Sequence, residues 1–204
     1  MAHPMTLPPL RDLVIETIKA PGSAAGRILE VDLPRRWLWM ALGLMCVLNA
    51  MLYSISIRIT PPAPETQIMV PPSLQSPVLF AIFLYGAMVF TVLVLQWTGQ
   101  SLGGAATRGD ILILMTWLQV MRLLFQALVL VLSLVSLALG SIVVLAGSVW
   151  AIYIMAAFID RANGFGNLLK ALGVMILALI AVAFGLSLIL AVLGIANFGG
   201  AAHV

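Results

Sequence analysis

The sequence predicts an all-α protein, a polytopic transmembrane helical bundle of about five spanning helices with a short N-terminal interfacial helix. Three observations lead there. Of the 204 residues, 63% are hydrophobic and 8% charged, with a mean hydropathy of +1.16. A soluble domain carries about 45 to 50% apolar and about 25% charged residues, so water offers this chain no fold that hides its apolar surface. The apolar residues are also gathered into runs of bilayer length, about 20 residues each, and the basic residues fall between those runs, mostly on alternate sides.

Residues 1–36 form a polar N-terminal arm. After Pro8 and Pro9, the stretch LRDLVIETIKA places Leu10, Leu13, Val14, Thr17 and Ile18 near one helical face and Arg11, Asp12, Glu16 and Lys19 on the other. That pattern predicts a short helix on the membrane surface, ended by Pro21-Gly22. A signal peptide is not expected, since the first apolar run begins only at Trp37.

Five spans are predicted over residues 37–193, at about 37–57, 78–96, 111–134, 142–159 and 168–193. Trp37 and Trp39 suit the interface at the start of the first span. Residues 60–77, TPPAPETQIMVPPSLQSP, contain six prolines that remove backbone donors, and they read as an external non-helical loop. A glycine-rich hinge follows Trp97, and Asp110 is placed to cap the third span. Gly140-Ser141 is expected to break the long apolar stretch that begins at Ile111. DRANGFGN, residues 160–167, reads as a tight return whose glycines supply backbone freedom, and residues 194–204 form a short external tail.

Basic residues orient the bundle. With the N-terminus cytoplasmic, Arg11, Lys19, Arg27, Arg35, Arg36, Arg108, Arg161 and Lys170 all lie inside, Arg58 lies outside and Arg122 lies within the membrane. The positive-inside rule then predicts a multi-pass protein of the cytoplasmic (inner) membrane, N-terminus in and C-terminus external or periplasmic.

Chemistry is sparse. Arg122 is a charge inside an apolar run, and Gln119, Arg122 and Gln126 recur at offsets of three and seven, which stacks them on one helical face with Met115. An intramembrane charge of this kind either faces a polar cavity or snorkels to the interface. Its partner is then a backbone carbonyl, a glutamine, Asp160, water or a lipid headgroup, because no other span carries a charge. The glycines Gly99, Gly103, Gly104 and Gly109 match no phosphate loop. His3 and His203 fall on opposite sides of the membrane, Cys46 stands alone, and no serine, histidine and acid share a depth, so no metal, cofactor or catalytic residue is expected. Dispersed basic residues exclude nucleic acid. Small residues at Gly140, Gly147 and Ala151, and at Ala178, Ala181 and Gly185, form stripes along which helices approach closely, within one chain or between copies.

The most specific stretches are GQSLGGAATRGDILILMTW, residues 99–117, and WAIYIMAAFIDRANGFGNLLKAL, residues 150–172. With the polar arm and five spans, over roughly Trp37 to Leu193, they resemble the Yip family of Ypt/Rab-interacting membrane proteins, in its bacterial branch. The resemblance makes Gly99, Gly103, Gly104, Asp110, Asp160, Gly164 and Gly166 a cytoplasmic loop signature of the fold. It implies a cytosolic N-terminus and roles in membrane organisation or traffic. The arm here is only about 36 residues and lacks the Asp-Leu-Tyr-Gly-Pro motif, so a small GTPase is not expected as a partner. The expected function is therefore a non-enzymatic membrane scaffold that binds membrane-protein partners or its own copies. The alternative is a small-solute or anion permease, or a subunit of one, using the Gln119, Arg122, Gln126 face.

Overall fold

A computed structural model of the chain describes residues 9–59 and 76–192. Among these residues there are seven helices and no strand: α1 (Leu10–Lys19), α2 (Pro21–Leu29), α3 (Arg35–Ile59), α4 (Pro77–Ser101), α5 (Arg108–Val135), α6 (Leu137–Asn163) and α7 (Leu168–Val192). The last five are each long and apolar enough to cross a membrane, and the protein is a multi-pass membrane protein. Most of the expected proline-rich loop, the C-terminal tail, His3 and His203 lie outside the described residues.

The five spans close into a ring. α3 packs against α4 and α5, α5 against α6, α6 against α7, and α7 against α4, while α4 also touches α5 across the middle. Five alternating passes make α3 and α5 parallel neighbours, and Arg35 accordingly approaches Gly109 while Asn49 reaches Gln119. Packing is concentrated in the half of the ring nearest the N-terminal arm, here called the arm end. There Leu38, Leu42, Leu95, Ile111, Leu112, Ile159 and Val174 form one core. Toward the far end, no described residue of α3 beyond Ala50, of α5 beyond Gln119 or of α7 beyond Ala178 is buried.

Two boundaries differ from the sequence expectation. The hinge between the third and fourth spans lies at Ser136, not Gly140-Ser141. Ser136 is extended (φ −159°, ψ 124°) and its hydroxyl accepts from Leu139 N at the start of α6, the service expected of an N-cap serine. Gly140 sits inside α6, buried, because a Cβ there would strike Ser133 of α5. Asp110 is likewise not the cap of the third span. Thr107 caps α5 and accepts from Asp110 N, while the Asp110 carboxylate accepts from Thr107 N. This reciprocal capping box satisfies two otherwise orphaned donors and starts the helix at Arg108.

The arm differs more. Pro21 ends α1 but also starts α2, where a proline at the first helical position forfeits no hydrogen bond. Together α1 and α2 pack on the flank of α5 and α6, with Leu13, Ala24, Ala25 and Ile28 buried against Leu114, Ile154 and Phe158. Thr17 is fully buried; its hydroxyl donates to Leu13 O and accepts from Trp117 Nε1 at 3.0 Å. A second indole, Trp150 Nε1, donates to Ile18 O at 3.1 Å. Leu10 and Ile18, on the same helical face as Leu13 and Thr17, are left uncovered by the bundle.

This geometry makes a prediction. Thr17→Val keeps the side-chain shape but leaves the Trp117 indole N–H without an acceptor. It should destabilise the docked arm by about 1 to 3 kcal/mol, read as faster hydrogen exchange over α1 and α2 with exchange in α3 to α7 unchanged.

Candidate functional site

The site begins with two returns at the arm end. α6 closes with Gly164 in the left-handed region (φ +67°), its N–H donating to Asp160 O. A residue with a Cβ is strained there. The chain then turns through Gly166 (φ +61°) to Asn167, whose N–H donates to the Asp160 carboxylate at 2.8 Å and whose side-chain oxygen accepts from Leu169 N to start α7. Asp160 therefore acts as the internal anchor of its own turn.

The other return, between α4 and α5, is laid directly on the first. Gly99 and Gly104 lie against the Asn163 carboxamide so closely that a Cβ at either would collide with it. Ala105 N donates to Asn163 O at 3.1 Å and Asn163 Nδ2 donates to Ile159 O at 2.9 Å. Gly103 turns the chain in the left-handed region (φ +83°), Gln100 Nε2 donates to Ala106 O, and Arg108 Nε donates to Gln96 Oε1. The loop signature residues Gly99, Gly103, Gly104, Asp110, Asp160, Gly164 and Gly166 thus serve one junction, joined by close packing and a backbone hydrogen bond. Asn163, only 3% exposed, was not singled out in the sequence; the two glycines that receive it, on a separate loop, were the available signal.

Beside this junction α2 runs along α6. Arg161 lies over Gly26, and Arg27 pairs with Glu16 at 3.0 Å, which also accepts from Ser23 Oγ at 2.5 Å. An open groove of about 560 Å³ remains, lined on its polar side by Ser23, Arg27, Glu30, Asp160 and Arg161 and floored by Tyr153, Ala157 and Leu168. It presents both charge signs above an apolar floor.

The intramembrane face resolves into unlike members. Gln119 is buried, 4% exposed, and its Nε2 donates to Met88 Sδ of α4 at 2.7 Å. Its backbone carbonyl accepts from Asn49 Nδ2 of α3 at 3.2 Å, and Asn49 also donates to Met45 O. Asn49, another residue passed over in the sequence, is 1% exposed. The side-chain oxygens of both Asn49 and Gln119 are buried with no hydrogen-bond partner. Arg122, one turn on, is exposed and makes no hydrogen bond or ion pair among the described residues. Gln126 is half-buried a further turn toward the far end. Asp160 is no partner for Arg122. Phe125 meets Gly147 and Ser133 meets Gly140 across the α5–α6 hairpin, which sets Asp160 level with Leu112, about 15 Å below Arg122 at 1.5 Å per residue. Among the described residues, no three of His, Cys, Asp and Glu converge as metal ligands would.

Residues 15–196 match the family model described as the Yip1 domain. None of the curated proteins or solved structures matches the chain.

The junction makes a coupled prediction. Gly99→Ala, whose Cβ would meet only carboxamide atoms of Asn163, should lower stability by about 1 to 3 kcal/mol through overpacking, seen as a lower unfolding midpoint in detergent. Adding Asn163→Ala should restore most of that loss, because it removes the colliding carboxamide, whereas independent effects would simply add.

Proposed function

The chain belongs to the Yip family through the Yip1 domain of residues 15–196, and from that premise we propose that it is a non-enzymatic membrane scaffold that binds a partner at its arm end. The observation that carries this reading is the junction itself. Asn163, held between Gly99 and Gly104, locks two returns together next to a docked arm and an open groove. A rigid surface of mixed charge suits recognition of a protein partner better than it suits turnover, since specificity follows from fixed complementary charges. The partner is another membrane protein or a second copy of the chain. Neither nucleic acid nor a small GTPase is called on as a partner, the latter because the short arm lacks the Asp-Leu-Tyr-Gly-Pro motif. In this proposal the arm end faces the cytoplasm of a bacterial cell, the protein resides in the inner membrane and the C-terminus is external, as the distribution of basic residues favours.

A photo-reactive residue at Ser23, exposed in the groove, should cross-link a discrete partner or a second copy in native membranes. The same residue at the lipid-facing Leu179 should not. Recovery of monomer alone, across detergents and after cross-linking at Ser23, overturns the scaffold reading. A reporter fused to the C-terminus should be active only on the external side; cytoplasmic activity would overturn the orientation.

A further inference from the structure

Arg122 stands midway between Arg108 and Ser136, the two limits of α5, about 21 Å along the axis from each. Neither end of the helix is within reach of its side chain. At 100° per residue, its direction falls between those of Met115 and Gln119, which face the core, and that of Phe125, whose ring abuts Gly147 of α6. Its Cα–Cβ bond is therefore directed toward the inside of the ring. Arg122 is nonetheless exposed, because the buried packing of α3 and α5 ends at Ala50 and Gln119.

A bare charge at that depth adds about 2.5 to 3.5 kcal/mol to insertion, and this chain has nothing to offset it. Its acids are Asp12, Glu16, Glu30, Asp32, Glu65, Asp110 and Asp160; none falls in the interior of a span, with Asp110 and Asp160 at the arm-end limits of α5 and α6. A second copy brings the same sequence, so self-association adds no acid at the level of Arg122. One turn below, Asn49 and Gln119 hold two buried acceptors without donors. The layer lacks an anion and it lacks hydrogen-bond donors.

We propose that Arg122, with Asn49 and Gln119 beneath it, is an anion-binding site open toward the far end of the ring. It takes an oxyanion head that also carries an O–H or N–H, such as a glycerol phosphate group. The head belongs either to an amphiphile entering from the bilayer or to a free solute. The anion engages the guanidinium, and the donor reaches the Gln119 side-chain oxygen, whose removal weakens binding less than removal of the charge. The site lies at the opposite side of the packed core from the groove, and it stands or falls independently of the scaffold reading.

The test uses the full chain in nanodiscs. In one arm phosphatidylglycerol is added to phosphatidylcholine; in the other, glycerol phosphate is added from solution to discs of phosphatidylcholine alone. The expected result is a ligand-dependent rise in the unfolding midpoint in one arm, which identifies the source of the head. Arg122→Gln should fold in phosphatidylcholine and weaken that response at least tenfold, and Gln119→Leu should weaken it several-fold. In the unaltered protein, the effective ligand should shield Arg122 from phenylglyoxal while leaving Arg161 reactive, a readout that requires no variant. No response in either arm, an equal response in Arg122→Gln, or unchanged phenylglyoxal labelling of Arg122 would overturn the site.

Discussion

The contact on which the architecture depends is the seating of the Asn163 carboxamide between Gly99 and Gly104. In lipid, apolar burial gives helices little reason to associate, and close steric fit with hydrogen bonding takes its place. Here that fit ties the end of α4, the start of α5 and the end of α6 at one point, and the Asp160 and Asn167 turn carries it on into α7. The buried core of the arm end lies directly above this contact.

Toward the far end, the helices are held in pairs by small residues. Gly147 admits Phe125, Gly140 admits Ser133, and Gly185 of α7 admits Phe90 of α4. These contacts all lie within one chain, which decides the use of the glycines in the small-residue stripes of the fourth and fifth spans. Ala178 is buried in the same core, while Ala151 remains exposed. Pairs of this kind join α5 to α6 and α4 to α7.

The two halves consequently suit different work. At the arm end the loops are fixed, the arm is fastened by two indole N–H groups, and mixed charges surround a groove. Midway along α5, a polar layer of Asn49, Gln119 and Arg122 marks where the buried packing of α3 and α5 ends. Burial of Gln119 and exposure of Arg122, only three residues apart on one helix, follow from that boundary.

Much of this fold was legible in the sequence because a bilayer imposes a simple code: apolar runs of fixed length, charges at their ends and prolines between them. The spans follow from that code, whereas the family resemblance, and with it the weight given to the two glycine-bearing returns, rested on residues 99–117 and 150–172. Side-chain partners do not, because hydropathy is blind to which faces meet. Asn163 and Asn49 looked like ordinary polar residues in or beside apolar helices until Gly99, Gly104 and Gln119 were brought to them from distant positions. Ser136 was overlooked as the hinge because a glycine nearby is the stronger breaker by propensity, yet close approach of α5 and α6 required Gly140 for packing. The sequence by itself determined that the chain crosses a membrane several times, since length and hydropathy are local properties. Only the tertiary structure decided that the returns interlock, that the arm docks on the bundle and that Gln119 is buried while Arg122 is exposed, since each depends on helix faces far apart in the chain.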